Sequence, residues 1–262
     1  ISVTGERCAL QCKHCGAKFL RGMLPCRDNA DLISIGEKLL GEGSTGFLLS
    51  GGCDNKGRVP LWNVLEGVHK VKRSTPLKIN AHTGLVFTRE IAALYVAAGI
   101  DVFSVDVVGS EETIREIYGL DVPVGAYETT IANLLGAKAT VVPHITIGIN
   151  HGKESGEEAG IDLVAKYSLP KLVLNVLVPV SGTPLEGVDV PEERVSEVFR
   201  YARKKISGEL ILGCMRPRKL DIEKLAWEHG FTGIAQPTRE FRELLEKSGE
   251  KIEFRNWCCS LL

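Results

Sequence analysis

Short runs of apolar, often β-branched residues alternate with amphipathic stretches along all 262 residues, and this alternation most constrains the fold. The run at 171–178 is nearly all apolar, as expected for a strand buried on both faces of a parallel sheet. Strands that alternate with helices predict an α/β fold. The predicted strands cover residues 1–4, 46–50, 77–82, 101–107, 139–147, 171–178, 209–213 and 231–235.

Helix start and stop signals lie between these runs. Ser110 precedes two glutamates, and Thr238 begins an amphipathic stretch that Gly249 ends. Eight such β/α units in one chain predict a (βα)8 TIM-type barrel of parallel strands, with a six-unit open barrel as the alternative. We expect the barrel to cover residues 1–250, and we expect the apolar tail at 251–262 to fold back onto it.

Charge and hydropathy exclude several classes of partner. The chain has 32 basic and 33 acidic residues, a net charge of −1, and 44% hydrophobic residues. Nothing in this balance indicates a nucleic acid or an acidic membrane surface. No apolar run reaches the roughly 18 residues of a membrane span, and no signal peptide is visible, so we expect a cytoplasmic protein. Because the chain begins at Ile1 rather than Met, we expect that a native leader is missing.

Three of the eight cysteines lie directly after the first predicted strand. Cys8, Cys12 and Cys15 have the spacing C-x3-C-x2-C, at the strand end where barrels carry their active sites. Three thiolates can hold one soft metal centre, one ligand short of a closed site, which leaves a coordination position for a small molecule. A structural zinc knot or a redox thiol cluster is the alternative, but no second CxxC-like pair lies at a suitable distance.

This cysteine spacing resembles that of the radical S-adenosylmethionine (SAM) superfamily. The resemblance implies a 4Fe–4S cluster on Cys8, Cys12 and Cys15, with the amino and carboxylate groups of SAM on the fourth iron. It also implies reductive cleavage of SAM to a 5′-deoxyadenosyl radical. His14 stands where members of the superfamily usually carry an aromatic residue, next to the cofactor.

The turn after the second predicted strand reads Gly51-Gly52-Cys53-Asp54. Glycines permit close approach of the backbone to a ligand. The superfamily often has Gly-Gly-Glu here, in contact with the methionine amino group. Because Cys53 replaces the acid, we expect Asp54 or the backbone to supply this contact, with a plain βα turn as the alternative.

Polar residues near other strand ends are further candidates for the cofactor pocket. Ser104 and Asp106 point the same way along one strand, where a carboxylate could accept bonds from ribose hydroxyls; a helix-capping turn is the alternative. Ile147 and Gly148 resemble the apolar segment that packs along the adenine in the superfamily. His82 could line the pocket or be structural.

Two histidines and two arginines complete the candidates. His144 and His151 are possible substrate contacts, although a lone histidine is more often structural. Arg216 and Arg218 could hold the cofactor carboxylate or an acidic group of a carrier protein, with solvated surface arginines as the alternative.

Several segments resemble biotin synthase. They are the Thr4-Gly5 lead-in, the segment 175–185 with its Gly-Thr-Pro-Leu end, and the segment 212–218. Biotin synthesis itself is not expected. Ile211 stands where that enzyme has a ligand arginine for its second cluster, and the inward-facing ligand cysteines are absent.

Five cysteines remain: Cys26, Cys53, Cys214, Cys258 and Cys259. They are candidate ligands of a second iron–sulfur cluster at the barrel mouth, or else buried small hydrophobes. The Gly-Gly-Cys turn, the end of the seventh predicted strand and the Cys-Cys-Ser tail resemble the second, smaller subunit of the archaeal two-subunit lipoyl synthases.

This resemblance implies insertion of sulfur at an unactivated carbon of an octanoyl chain. The implied partners are the other synthase subunit, an octanoylated carrier protein or peptide, and a ferredoxin-type electron donor, with no nucleic acid and no membrane. Two alternatives remain open: a radical SAM rearrangement or fragmentation of a carbon skeleton, and a non-catalytic, cysteine-rich metal-binding protein.

Overall fold

Seven parallel strands form one curled sheet in the order β1 to β7, which is also their order along the chain. The computed structural model describes residues 1–261. The strands are β1 Gly46–Leu49, β2 Lys78–His82, β3 Val102–Asp106, β4 Val141–Ile147, β5 Lys171–Val176, β6 Glu209–Leu212 and β7 Gly233–Ile234. The helices are α1 Asn29–Gly41, α2 Leu65–Ser74, α3 Arg89–Ala98, α4 Glu111–Tyr118, α5 Gly125–Gly136, α6 Glu157–Ala165, α7 Glu192–Lys205, α8 Leu220–Glu228 and α9 Arg239–Ser248, with short 3-10 helices at Lys18–Gly22 and Leu61–Val64.

The predicted α/β TIM-like fold is confirmed, but the sheet is an open half-barrel of seven strands. The predicted strand at 1–4 forms only two isolated parallel bridges, from Ser2 to Pro25 and from Ser2 to Ser50, and Val3 N–H donates to the Ser50 carbonyl at 2.8 Å. Its pairing ends early because the chain turns at Gly5, whose φ is +60°. At the other edge, β7 is two residues long and pairs with β6.

The predicted helix signals act as caps. The hydroxyl of Ser110 accepts a hydrogen bond from Thr113 N–H, and the hydroxyl of Thr238 accepts one from Phe241 N–H. Gly249 ends α9 in the left-handed conformation, φ +77°. None of the helices in residues 1–261 combines the length and the apolar character that crossing a bilayer needs.

The two faces of the sheet differ in chemistry. Side chains of the convex face, such as Ile79, Phe103 and Leu174, are fully buried in the main core with the helices. The concave face, which lines the bore, is apolar near the strand starts and polar toward the strand ends. Its apolar row is Val102, Val142, Val173 and Ile211. Its polar residues are Asn80, His82, Ser104, Asp106, His144, Thr146 and Asn175.

The carboxyl-terminal tail enters the bore from the end where the strands begin. The Asn256 carbonyl accepts a hydrogen bond of 3.2 Å from the Thr45 hydroxyl, just before β1. From there, residues 258–261 run into the bore, where Cys259 packs against the apolar row of the concave face. The tail therefore brings two cysteines into the interior of the half-barrel; Leu262 lies outside the described residues.

Candidate functional site

The segment 4–17, here called the cysteine loop, is held at the carboxyl edge of the sheet by three backbone contacts. Gly52 N–H donates to the Thr4 hydroxyl at 2.7 Å, and Ala9 N–H donates to the Cys53 carbonyl at 2.8 Å. The N–H of Lys13 donates to the carbonyl of Ile117, near the end of α4, at 2.8 Å. The loop is thus fixed between the turn after β1 and α4.

The thiols of the cysteine loop lie together. One sulfur each of Cys12 and Cys15 and a ring nitrogen of His14 lie within 4.8 Å of one another, the one potential metal-binding group of this kind found within residues 1–261. Cys8 is close enough for its charge to raise the pKa of Cys12. The neighbouring Cys12 thiol lowers the pKa of Cys15 to about 4, which favours the thiolate form of Cys15.

His14 adds a nitrogen donor to this group. Its ring lies 5.2 Å from the ring of Tyr118, and its Nδ1 atom is buried without a hydrogen-bond partner. A buried polar atom without a partner is costly unless a ligand satisfies it. Three thiols and this nitrogen therefore fit a soft metal centre, either an iron–sulfur cluster or zinc.

In the turn after β1, Cys53 lies beside the cysteine loop, and the Asp54 carboxylate is bonded to groups of the turn itself. Burial, together with the charges of nearby groups that include Cys8 and Cys15, raises the pKa of Cys53 to about 12. The Asp54 carboxylate accepts hydrogen bonds from the N–H groups of Lys56 and Arg58, and it pairs with the Arg58 guanidinium at 2.7 Å. Most of its accepting capacity is thus used within its own turn, which does not favour the predicted contact with the cofactor.

Asp106 faces the mouth of the bore with its side chain 58% exposed. Its Oδ2 lies 3.6 Å from Nδ1 of His82. Partial loss of water around the carboxylate raises the pKa of Asp106, but the nearby ring of His82 and its charge outweigh this and lower the pKa to about 2. An ionised carboxylate therefore lies at the mouth, where the sequence predicted a group that binds ribose.

Ser104 is only 1% exposed and lies deeper than Asp106. Its hydroxyl donates to Asn80 Oδ1 at 2.8 Å and contacts the hydroxyl of Ser260 in the tail, also at 2.8 Å. This arrangement does not favour the predicted contact with ribose. The side-chain oxygen of Asn175 is also buried; it has no hydrogen-bond partner and packs against Gly213.

The candidate residues at the end of β4 and in the loop after it lie in different surroundings. The Ile147 side chain lies in the convex-face core, so the predicted adenine contact would fall to its neighbours; Thr146 and Ile149 line a small cavity at this edge. The Gly148 N–H donates to the buried carboxylate of Glu157 at 2.8 Å. His151 is exposed in the following turn.

Arg216 is a structural residue. Its guanidinium is fully buried, pairs with Glu223 of α8, and donates to the carbonyls of Gly213 and Ala235 at 2.7 Å. Arg218 donates to the Cys214 carbonyl at 3.0 Å and to the side-chain oxygen of Gln236. The predicted contact of Arg216 with the cofactor carboxylate is not favoured, because both terminal nitrogens of its guanidinium already have partners inside the protein; its Nε atom is buried without one.

Of the five remaining cysteines, the exposed Cys214 after β6 lies beside Cys258 and Cys259 of the tail, and we call these three the thiol triad. The thiol of Cys259 lies within hydrogen-bonding reach of the other two sulfurs. The neighbouring Cys259 thiol lowers the pKa of Cys214 to about 6 and that of Cys258 to about 5, while the pKa of Cys259 is raised. Cys53 lies instead with the cysteine loop. Cys26 is buried near Ile1, where its thiol donates to the Asp28 carbonyl at 3.3 Å.

Polar side chains of the concave face surround the thiol triad. Asn80 Nδ2 donates to the sulfur of Cys258 at 3.2 Å. His144 Nε2 lies 4.0 Å from the sulfur of Cys259 and 3.3 Å from the hydroxyl of Ser260. Burial and the charge of His82 lower the pKa of His144 to about 4, so its imidazole is neutral at neutral pH. Neutral imidazole and thiolates are donors that suit iron or zinc.

Sequence reasoning missed Asn80 and Ser260 as site residues. Asn80 lies two residues before His82 on β2, so strand periodicity could have placed it on the same face. Ser260 gave no such signal, because its position depends on how the tail folds back.

Comparison with protein-family models gives no match, and comparison with curated sequences gives none. Solved structures share the fold. Methylornithine synthase aligns with a TM-score of 0.65 and 15% identity over 95% of this chain and 81% of its own. HydG, a maturase of FeFe-hydrogenase, aligns with a TM-score of 0.67 and 12% identity over 88% of this chain and 54% of its own. The HMG-CoA lyase from Brucella melitensis aligns with a TM-score of 0.55 and 13% identity, covering 95% and 89% of the two chains.

These likenesses define the class of protein by its fold, an α/β half-barrel. In this chain, a loop with three cysteines lies at the carboxyl edge of the sheet. The chain spans about half the length of HydG. At 12–15% identity, these structures share their fold with this chain.

Proposed function

We propose that this protein is a radical SAM enzyme that inserts sulfur at an unactivated carbon, in the formation of the lipoyl cofactor on an octanoylated carrier protein or peptide. The observation that carries the proposal is that one bore holds two groups of thiols. The cysteine loop lies at its mouth, and the thiol triad joins the tail cysteines in the bore to Cys214 after β6. Methylornithine synthase and HydG, which share the fold, are radical SAM enzymes, which supports the broader class.

The residues of the mouth would receive SAM. A 4Fe–4S cluster held by Cys8, Cys12 and Cys15 supplies, when bound, the electron for reductive cleavage of SAM. The ionised carboxylate of Asp106 accepts hydrogen bonds from ribose hydroxyls. Gly52, which has no side chain, lets the backbone of its turn approach the cysteine loop closely.

The thiol triad would provide the sulfur. A second iron–sulfur cluster held by Cys214, Cys258 and Cys259 supplies sulfide when bound. The apolar row of the concave face and the neutral ring of His144 limit water around it. The proposed partners are the other lipoyl synthase subunit, the octanoylated carrier and a ferredoxin-type electron donor.

Two cysteine variants test the proposal, with Cys26→Ala as the control because Cys26 lies away from both thiol groups. We expect Cys12→Ala to abolish formation of 5′-deoxyadenosine from SAM under anaerobic reduction. We expect Cys214→Ala to retain that cleavage and to lose the thiolated octanoyl peptide, both measured by mass spectrometry. Thiolated product from Cys214→Ala would show that the thiol triad is not the sulfur source.

A rearrangement or fragmentation of a carbon skeleton is the second candidate, because methylornithine synthase shares the fold over most of both chains. Iron analysis of anaerobically purified protein separates the two. About eight irons per chain support two 4Fe–4S clusters, whereas about four favour the second candidate. Tetrahedral zinc on Cys8, Cys12, Cys15 and His14 would indicate a non-catalytic metal-binding protein.

A further inference from the structure

The thiol triad joins two segments that are far apart along the chain. Cys214 is exposed in the loop after β6, while Cys258 and Cys259 belong to the last residues of the tail. A metal centre on all three sulfurs would therefore tie the tail to the strand-end loop of β6.

Without a metal, few contacts hold the tail in the bore. The hydrogen bonds from Thr45 to Asn256 and from Asn80 to Cys258 connect it to the starts and middles of β1 and β2. The hydroxyl of Ser260 adds contacts with Ser104 and His144. These are side-chain contacts, and none of them belongs to a strand or helix ladder. Such segments open more readily than the rest of a fold.

The segment that leads to the triad is loosely packed. Phe254 is 63% exposed and Trp257 is 48% exposed, and Arg255 pairs with Glu253, two residues away. A cavity of about 750 Å³ lies between residues 250–257 and the edge of the sheet, lined by Ile211, Phe231 and Phe241 among others. Residues 250–257 can therefore move without displacing closely packed core side chains, whereas Cys259 and Ser260 are buried in the bore.

We propose that residues 256–261 form a metal-dependent latch, in which metal binding at the thiol triad and insertion of the tail into the bore are one coupled equilibrium. The proposal rests on the second metal centre of the proposed function. Metal binding takes the three sulfurs as thiolates; any thiol proton still present goes to solvent, and no oxidation state changes. Because a ligand that binds only the closed state stabilises that state, loss of the metal releases the tail.

Release of the tail opens the bore at the end where the strands begin. Asn80, Ser104 and His144, which are buried beneath the tail, then face solvent. The released tail also presents two adjacent thiols outside the bore. A centre consumed as a sulfur source could be rebuilt there by a protein that transfers iron–sulfur clusters.

Limited trypsin digestion of the full chain tests the latch, because Lys251 and Arg255 are exposed cleavage sites in the tail. Wild-type protein is prepared anaerobically, either reconstituted with iron and sulfide or stripped with a chelator, and the released peptides are quantified by mass spectrometry. We expect reconstitution to slow cleavage at Arg255 by about tenfold or more, because cleavage follows the population of the open form. Equal rates in the two preparations would overturn the proposal.

Two variants assign the effect to the triad. Cys214→Ala removes a ligand without changing the tail, and we expect its tail to be cleaved at the stripped rate in both preparations. Cys12→Ala removes a ligand of the cysteine loop only, and we expect it to keep the protection. Protection of Cys214→Ala, or loss of protection in Cys12→Ala, would contradict the latch.

The same samples separate the latch from the proposed function. A tail protected by iron and sulfide in an enzyme that makes no thiolated product leaves the latch intact and removes sulfur insertion. Thiolated product from an enzyme whose tail stays unprotected would remove the latch and leave sulfur insertion intact.

Discussion

Gly52 decides how closely the turn after β1 can approach the cysteine loop. A Cβ atom at this position would lie 2.1 Å from the Arg7 carbonyl oxygen and 2.6 Å from the Cα atom of Cys8. Both are backbone atoms, so no rotation of a side chain can relieve the overlap. The glycine is therefore a requirement of the backbone contact that positions Cys8.

We expect Gly52→Ala to displace the cysteine loop and to reduce iron bound at Cys8, Cys12 and Cys15, with less change in the global fold. Iron content and the visible absorbance of the cluster after reconstitution measure the effect. Gly125→Ala is the matched control, since a Cβ at Gly125 meets nothing within 4 Å. Full cluster occupancy in Gly52→Ala would show that the loop tolerates the shift.

Single residues at strand ends were predictable to different degrees. Asp106 could be placed at the mouth because parallel strands end at one edge, and the structure places it there. Ser104 shares its face, yet its hydroxyl is occupied by Asn80 and by Ser260, which is 156 residues away. Local periodicity predicts which face a residue occupies, but it does not predict a partner that arrives from a distant segment.

At the scale of elements, one buried ion pair joins the end of β6 to α8 and α9. The Glu223 carboxylate of α8 pairs with Arg216 after β6, and it also accepts hydrogen bonds from the N–H and hydroxyl of Thr238, the N-cap of α9. Arg216 and Glu223 have no exposed side-chain surface. The pair therefore fixes the loop that carries Cys214 relative to both helices.

We expect Glu223→Gln to lower the free energy of unfolding by about 3 kcal/mol, because it leaves the guanidinium of Arg216 buried without a charged partner. Denaturant unfolding of the metal-free protein measures this. Glu243→Gln, which breaks an exposed pair with Arg239, is the control and should cost less than about 0.5 kcal/mol. Unchanged stability in Glu223→Gln, with weakened SAM binding, would instead support the predicted cofactor role of Arg216.

Strand positions were predictable because continuous apolar runs mark strands buried on both faces. The run predicted at 171–178 corresponds to β5 Lys171–Val176, and the run at 139–147 to β4 Val141–Ile147. The run at 1–4 has the same composition but forms only two isolated bridges. Its length is set by pairing at Ser50 and by the turn at Gly5, and apolar composition carries no information about either.

At the scale of the whole molecule, stability is unevenly distributed around the open sheet. The central strands β4 and β5 are buried almost throughout, on both faces. The last strand has two residues, neither of them buried, and α9 contributes Phe241 as its buried residue. The sequence pattern that predicts one continuous barrel does not reveal this gradient of stability. The gradient arises because β7, at the edge of the sheet, has a pairing partner on one side only.

We expect native-state hydrogen exchange of the metal-free protein to follow this gradient. Amides of β4 and β5 should exchange only through global unfolding, whereas those in 233–248 should exchange at least about 100-fold faster through local opening. Mass spectrometry of peptic peptides measures both regions in one sample, and the peptide covering α2 Leu65–Ser74, with Val68 and Val71 fully buried, serves as the slow internal reference. Uniform protection across these peptides would mean that the edge next to the thiol triad is as rigid as the centre, and that the tail moves independently of β7 and α9.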